Sequence, residues 1–261
     1  MSKFLKIMAM ILVLTVALSA IGCSGDSGTL TLAGSTTVEP LAKKWADTYE
    51  AANSGVSISV QGGGSSAGVK GAAMETADIG MASREMKDSE KTEFPSLITH
   101  HVAADGVAVV VHPSSSVSNL SLSEIQAIFA AGSDDTWTVI NREEGSGTRE
   151  VFEDNVMDGT EVGADAEYLA SNGACKQKIA STENAIGYIS LGYVDSSVKA
   201  ITIDNVVCSP DTCLDGSYPI SRFLNFITMG EPEGLAKKFL DYCMSAEGQS
   251  IVAEEGYISI A

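Results

Sequence analysis

Three times along this chain a short apolar run ends in a small junction of glycine, serine and threonine and passes into an amphipathic stretch. In TLTLAGSTTVEPLAKKWADTY, Leu30 to Ala33 has strand character, Gly34, Ser35 and Thr36 form the junction, and Val38, Leu41, Ala42, Trp45 and Tyr49 recur on one helical face. Thr36 and Glu39 have the spacing of a capping box, in which a hydroxyl and a carboxylate satisfy the first free N–H groups of a helix. VSISVQGGGSSAGVKGAAMET repeats the order, with a strand from Val56 to Val60, a glycine run, a helix start at Ser65 and Ser66, and Val69, Ala72 and Ala73 on the helix face. WTVINREEGSGTREVFEDNVM does so again, with a strand from Trp137 to Ile140, a junction from Gly145 to Thr148, and Val151, Phe152 and Val156 on the helix face. Short apolar runs alternating with helix-period stretches predict an α/β fold and exclude a sandwich or a helical bundle.

A helix N-terminus presents N–H groups without intrahelical partners and the positive end of a dipole, so hydroxyls and glycines placed there hold an anion without net positive charge. Glycine lets a ligand oxygen approach the backbone closely. Taken singly, Thr36, Ser65 and Ser146 read as ordinary N-caps. Three such junctions in one chain, one of them beside Arg142, predict a shared anion site. The planar fork of Arg142 reaches two oxygens of one anion and stays charged at any relevant pH. Glu144 is placed to orient that guanidinium or to meet the helix dipole, which leaves Glu143 to face water. Arg149 and Glu153, four residues apart, read as a surface helix pair.

Residues 1–22 have the form of a secretory leader: Lys3 and Lys6 precede an apolar run from Ile7 to Leu18 that ends in SAIGCSG. Gly22 before Cys23 reads as a lipoprotein cleavage site with Cys23 as the lipid carrier, while Ala20 leaves ordinary leader cleavage open as an alternative. The expectation is an exported protein anchored to the outer face of the cytoplasmic membrane, with residues 23–28 as a Gly/Ser/Asp tether. The leader contains two of the 16 basic residues and no acid, which leaves 14 basic against 34 acidic side chains. Nucleic acid and anionic lipid are poor partners for such a chain. The remaining cysteines, Cys175, Cys208, Cys213 and Cys243, are even in number, which in an exported protein favours disulfides. The short CSPDTC loop suggests Cys208–Cys213, and Cys175–Cys243 follows by elimination. No Cys-x-x-Cys pair exists and the three histidines lie far from the cysteines, so no metal and no cofactor are expected.

The segments AGSTTVEPLAKKWADTYE, QGGGSSAGVKG, ADIGMASRE, NREEGSGTREVF, AIGYISLGY and SAEGQSIVAEEGYISI resemble, in order and spacing, the phosphate-binding protein of ABC phosphate importers. The resemblance covers nearly all of the chain beyond the leader. It implies a type II periplasmic-binding-protein clamshell, two α/β lobes each with a mixed sheet flanked by helices, and no enzymatic activity. It implies a monomer that captures inorganic phosphate between the lobes and delivers it to the transmembrane subunits of an ABC permease. The motifs carry Thr36, Ser65, Ser66, Arg142, Ser146, Gly147 and Thr148 onto the ligand, with Ser35 and Glu144 behind them. One position departs: where the family has a carboxylate that accepts the proton of hydrogen phosphate, this chain has Ser83. A hydroxyl accepts or donates without repelling a second anion, so sulfate, molybdate and tungstate stay open as alternatives. Asp78 is a candidate replacement for that charge, or a strand-edge residue.

The apolar GVAVVVHP (Gly106 to Pro113) reads as the first crossover and YPISRFLNFIT (Tyr218 to Thr228) as the return. Lobe one is then 29–106 with 219–261, and lobe two is 107–218. GSSAG (64–68) formally fits a hydrolase nucleophile motif with Ser66 as the nucleophile. His100, His101 and His112 are the available bases, but they flank an apolar strand instead of following the other triad members. GSGTR lacks the lysine of a nucleotide-binding P-loop.

Overall fold

The computed structural model describes residues 26–261. The leader and Cys23 lie outside the described residues. The predicted alternation forms. Strand β1 (Ser27–Gly34) pairs in parallel with β2 (Gly55–Gly62) and with β3 (Ile79–Ala82), and helices α1 (Glu39–Ala52) and α2 (Ser65–Ala73) make the crossovers. The apolar stripe of α1 buries Leu41, Ala42, Trp45, Ala46 and Tyr49. Trp45 meets Phe226 edge-on with ring centres 5.8 Å apart, and its indole N–H donates to the Gly248 carbonyl at 2.8 Å.

A 15-residue strand, β4 (Leu97–Val111), joins the two halves. Its residues up to Gly106 pair antiparallel with β11 (Ser221–Met229), whereas Val107–Val111 pair antiparallel with β8 (Ala185–Ser190). β8 lies parallel to β6 (Thr138–Arg142), which lies parallel to β7 (Glu167–Leu169). The sheet is therefore one path, β2-β1-β3-β11-β4-β8-β6-β7, with the short β9 (Lys199–Ala200) also on β4. β5 (Asn119–Leu120) and β10 (Thr202–Ile203) pair apart from it, and helices α3 (Asp88–Glu93) and α4 (Leu122–Ala131) precede the third junction. Two cores flank it. Leu30, Trp45, Ile79, Phe226 and Phe239 belong to one, and Val109, Phe129, Phe152, Ile179 and Tyr188 to the other. The unbroken apolar reading of Val107–Val111 has its cause here, because all five residues are fully buried in the middle of the sheet.

Several expectations change. Residues 27 and 28, expected in a tether, begin β1, and Asp26 is tied to Tyr49 Oη at 2.6 Å and to Lys238. The Thr36–Glu39 capping box does not form. Ser35 does that work, its hydroxyl accepting from the Thr37 and Val38 N–H groups at 3.2 and 3.4 Å, while Glu39 turns to Lys43 at 2.6 Å. Asp78 accepts from the Thr31 N–H and hydroxyl, both at 2.7 Å, and serves as a strand-start clasp.

All four described cysteines are free thiols. Cys175 and Cys243 cannot pair, because Cys175 packs in the core of β6 and β8 and Cys243 in the core of β1 and β11. Cys208 and Cys213 are neighbours, as the short loop suggested. Both sulfurs lie against Gly106, 2.6 and 2.7 Å from where a side chain there would begin, so only glycine fits beneath them. The two thiols shift each other in opposite directions, Cys208 up and Cys213 down.

Burial pushes the Cys175 thiol up to about 12 and the Cys243 thiol well above its ordinary value. Peptide mapping without reductant should therefore find no Cys175–Cys243 link, and both thiols should take up maleimide only after denaturation. A linked peptide from native protein would contradict the separation of the two cores.

Candidate anion site

Three junctions meet around one narrow void, about 110 Å³ with its solvent-facing part included, lined by Ser35, Thr36, Thr37, Gly64, Ser65, Ser83, Arg142, Ser146, Gly147 and Thr148. The walls stand too close together to admit a metabolite, and what they offer is hydroxyls, a helix start and one guanidinium. A larger cavity between Arg84, Val151, Leu214 and Phe223 opens on the outer side of the junction and shares none of these residues.

Arg142, the last residue of β6, is 1% exposed. Its Nε and Nη2 each reach Glu143 at 2.8 Å, and Nη2 also donates to Thr36 Oγ1 at 3.2 Å. Nη1 is buried without a partner. A buried donor on a charged group is costly to leave unpaired, so the guanidinium is built to be completed by an acceptor. The supporting carboxylate is Glu143, not Glu144, which is exposed. The reason is local: Glu143 follows β6 directly and doubles back on the fork, while Glu144 falls in the turn that follows.

The hydroxyls around the void are held by acceptor contacts that leave their hydrogens to donate. Thr37 Oγ1 accepts from Asn172 Nδ2 at 2.8 Å and from Arg222 Nη2 at 3.3 Å, so its own hydrogen goes to Thr148 Oγ1, 2.9 Å away. Thr148 then has its hydrogen left to donate. Ser65 Oγ accepts from the Ser83 N–H at 3.0 Å, Ser146 Oγ caps the Arg149 N–H at 3.3 Å, and Thr36 Oγ1 accepts from Arg142. Each of these oxygens has an acceptor position filled by a protein N–H or hydroxyl, which leaves its hydrogen to donate, with Ser83 Oγ also in reach of Ser65 at 3.4 Å. Helix α5 (Gly147–Phe152) adds first-turn N–H groups that no carbonyl of the helix can pair. The shell is made of donors, and no carboxylate lines it.

Ser83 sits where a carboxylate was expected. Arg222 Nη1 donates to its carbonyl at 3.1 Å and approaches its hydroxyl at 3.4 Å. Ser66, expected on the ligand, stands outside the void: its hydroxyl accepts from Arg84 Nη2 at 2.9 Å, and its N–H donates to the Gly145 carbonyl across the junction at 3.1 Å. Sequence reasoning missed Thr37, Asn172 and Arg222. Arg222 is fully paired with buried Asp105, at 3.1 Å from Nε and 2.7 Å from Nη2, and the two face each other in the register of β11 and β4. A lone Asp and a lone Arg in two apolar strands were the signal for that pair.

A PBP superfamily domain model matches residues 22–247. The phosphate-binding protein PstS of Bacillus subtilis (strain 168) is 35% identical over 93% of this chain and 84% of its own. The chain belongs to the PstS family of phosphate-binding proteins. Among solved structures it is similar to a substrate-binding protein from Clostridium perfringens, ascribed to a phosphate ABC transporter and holding bound phosphate. That pair has a TM-score of 0.84 and 35% identity over 90% of this chain and all of that one. An ABC-type phosphate transport receptor from Vibrio cholerae aligns with a TM-score of 0.72 and 30% identity over 88% and 99% of the two chains. The hydrolase alternative finds no support in this PstS-family chain. The bonded nitrogens of His100, His101 and His112 face Thr228, Glu85 and Ser114, and none meets Ser66. Among the described residues no His, Cys, Asp and Glu cluster forms a metal site, and no helix is long and apolar enough to cross a membrane.

Gly147 keeps the two walls of the site in contact. A side chain there would begin 2.3 Å from Ser65 Oγ and 3.0 Å from its Cβ, on the opposite wall. Gly147→Ala should hold the walls apart, visible as a larger radius of gyration by X-ray scattering with an unchanged circular dichroism spectrum. An unchanged radius would show that the contact does not limit closure.

Proposed function

We propose that this chain is the extracytoplasmic receptor of an ABC phosphate importer. It captures inorganic phosphate between its lobes, 29–106 with 219–261 on one side and 107–218 on the other, and presents it to the transmembrane subunits with no bond broken. It works as a monomer held to the membrane by lipid on Cys23. The observation that carries the reading is the buried Arg142, whose unpartnered Nη1 belongs to a void lined by donors. Thr36, Ser65, Ser83, Arg142, Ser146, Gly147 and Thr148 bind the anion, and Glu143 and Ser35 hold that set in place. Residues from both lobes touch the ligand, so phosphate favours the closed arrangement through contacts that exist only there.

A second reading is favoured by one specific observation. With Ser83 in place of a carboxylate, nothing in the shell repels the unprotonated oxygens of sulfate, molybdate or tungstate. Titration calorimetry of the protein from residue 26 onward with each anion decides between them. Phosphate is expected to bind most tightly, with sulfate competing measurably, and sulfate binding at or above phosphate affinity would reassign the ligand. Arg142→Ala removes charge-assisted hydrogen bonds of about 1.5–3 kcal/mol each. It should weaken phosphate binding at least about a hundred-fold while thermal unfolding still shows a cooperative transition. Unchanged affinity would refute the site.

A further inference from the structure

Glu150 lies on α5, one turn beyond Gly147, and its carboxylate faces the opposite lobe. Arg84 Nε stands 2.5 Å from Glu150 Oε2, off the N–H axis, and Lys87 Nζ stands 3.0 Å from Oε1. Both cations belong to the segment that follows the void residue Ser83. Arg84 is secured on its own side. Nη1 and Nη2 each donate to Glu90 at 2.8 Å, Nη2 donates to Ser66, and its carbonyl accepts from Asn225 Nδ2 at 2.8 Å. Glu150 has no comparable partner at home: Arg84 and Lys87 are the only cations within ion-pair distance among the described residues.

That asymmetry decides what separation of the lobes would do. Arg84 would keep Glu90, while Glu150 would lose both cations. Arg84 is 5% exposed and Glu150 19%, so the contact is mostly withdrawn from water and weighs more than a surface pair. Glu90 and Asp154 add negative charge on the Arg84 side, which favours its charged form against the cost of burial. The contact spans the two elements that carry Ser83 and Gly147, so it closes directly behind the void.

Resting on the phosphate-receptor reading, we propose that Arg84, Lys87 and Glu150 form an inter-lobe latch that sets how long the bound anion is held. None of the three lines the void. They are positioning residues: closure makes their contact and release breaks it.

Glu150→Gln removes the charge and keeps the shape, and Lys87→Met changes a half-exposed side chain without threatening the fold. Release is followed by stopped flow with a fluorescent phosphate trap, and compactness without phosphate by X-ray scattering. Glu150→Gln should release phosphate about ten-fold faster or more, with its association rate unchanged, because truncating one partner of a paired charge acts on dissociation. Lys87→Met should speed release less, and the double variant should be no faster than Glu150→Gln alone, because Lys87 acts through Glu150. The phosphate-free Glu150→Gln protein should have the larger radius of gyration. Release within about two-fold of the parent, with independent effects in the double variant, would overturn the latch. A parent that binds no phosphate would overturn the functional reading instead; an unchanged radius in Glu150→Gln would then overturn the latch on its own.

Discussion

The site depends on a guanidinium taken out of water and left one contact short. Burying Arg142 costs several kcal/mol of lost hydration, and only good geometry with a counter-charge offsets that cost. Glu143 supplies the counter-charge from the next residue in the chain, at 2.8 Å to both Nε and Nη2. Because Glu143 occupies one edge of the fork and Thr36 shares Nη2, the remaining nitrogen has no partner. The same strand end that buries the charge also opens α5, so the first-turn N–H groups and the guanidinium share one void. Neutralisation by Glu143 is what allows the charge to be buried, and the unpartnered Nη1 is what makes an anion the fitting occupant.

A second buried pair performs the matching task at the junction of the halves. Asp105, Gly106 and Val107 are consecutive in β4, and each meets a different requirement there. Asp105 neutralises Arg222 across the sheet and accepts from Ser190 at 2.9 Å and from the Leu191 N–H at 3.1 Å. Burial raises the Asp105 carboxyl and lowers the Arg222 guanidinium, each resisted by the other's charge. Gly106 leaves room for two sulfurs, and Val107 changes strand partner. Arg222 also fixes Ser83 and Thr37, so the charge pair that spans the crossover orders hydroxyls on the wall of the void. The crossover and the ligand shell are thus one hydrogen-bonded network.

The three junctions and the apolar run Val107–Val111 of β4 were legible because period and glycine placement are local properties, whereas the first ten residues of that strand, from Leu97 to Gly106, were not read as part of it. Thr36, Ser65, Ser146, Gly147 and Thr148 were legible for the same reason: helix-start chemistry is written within four or five residues. What failed was direction. Glu143 and Glu144 are adjacent, and which one faces Arg142 depends on how the chain leaves β6, a turn that composition does not specify. Ser66 differs from Ser65 by one helical step of about 100°, enough to carry its hydroxyl from the void to Arg84. The Cys175–Cys243 pairing failed because counting cysteines ignores that the two belong to separate cores.

The chain's four arginines explain how a protein of net charge -18 holds an anion. Arg84, Arg142 and Arg222 are buried, at 5%, 1% and 8% exposure, and Arg149 is partly covered, whereas Lys43, Lys91, Lys237 and Lys238 make their ion pairs from exposed positions. Every arginine has its own carboxylate: Glu90 and Glu150, Glu143, Asp105, and Glu153. The excess acidity is therefore spread over the surface, where water and salt screen it within about 8–10 Å. Arg142 lines the void, and Arg84 and Arg222 brace Ser66 and Ser83 behind its wall, where low exposure makes each contact count. Lysine could not replace them there, since a point charge cannot meet a carboxylate with two nitrogens and keep a third for another partner. The planar fork, rather than positive charge as such, is what the cleft of this acidic protein requires.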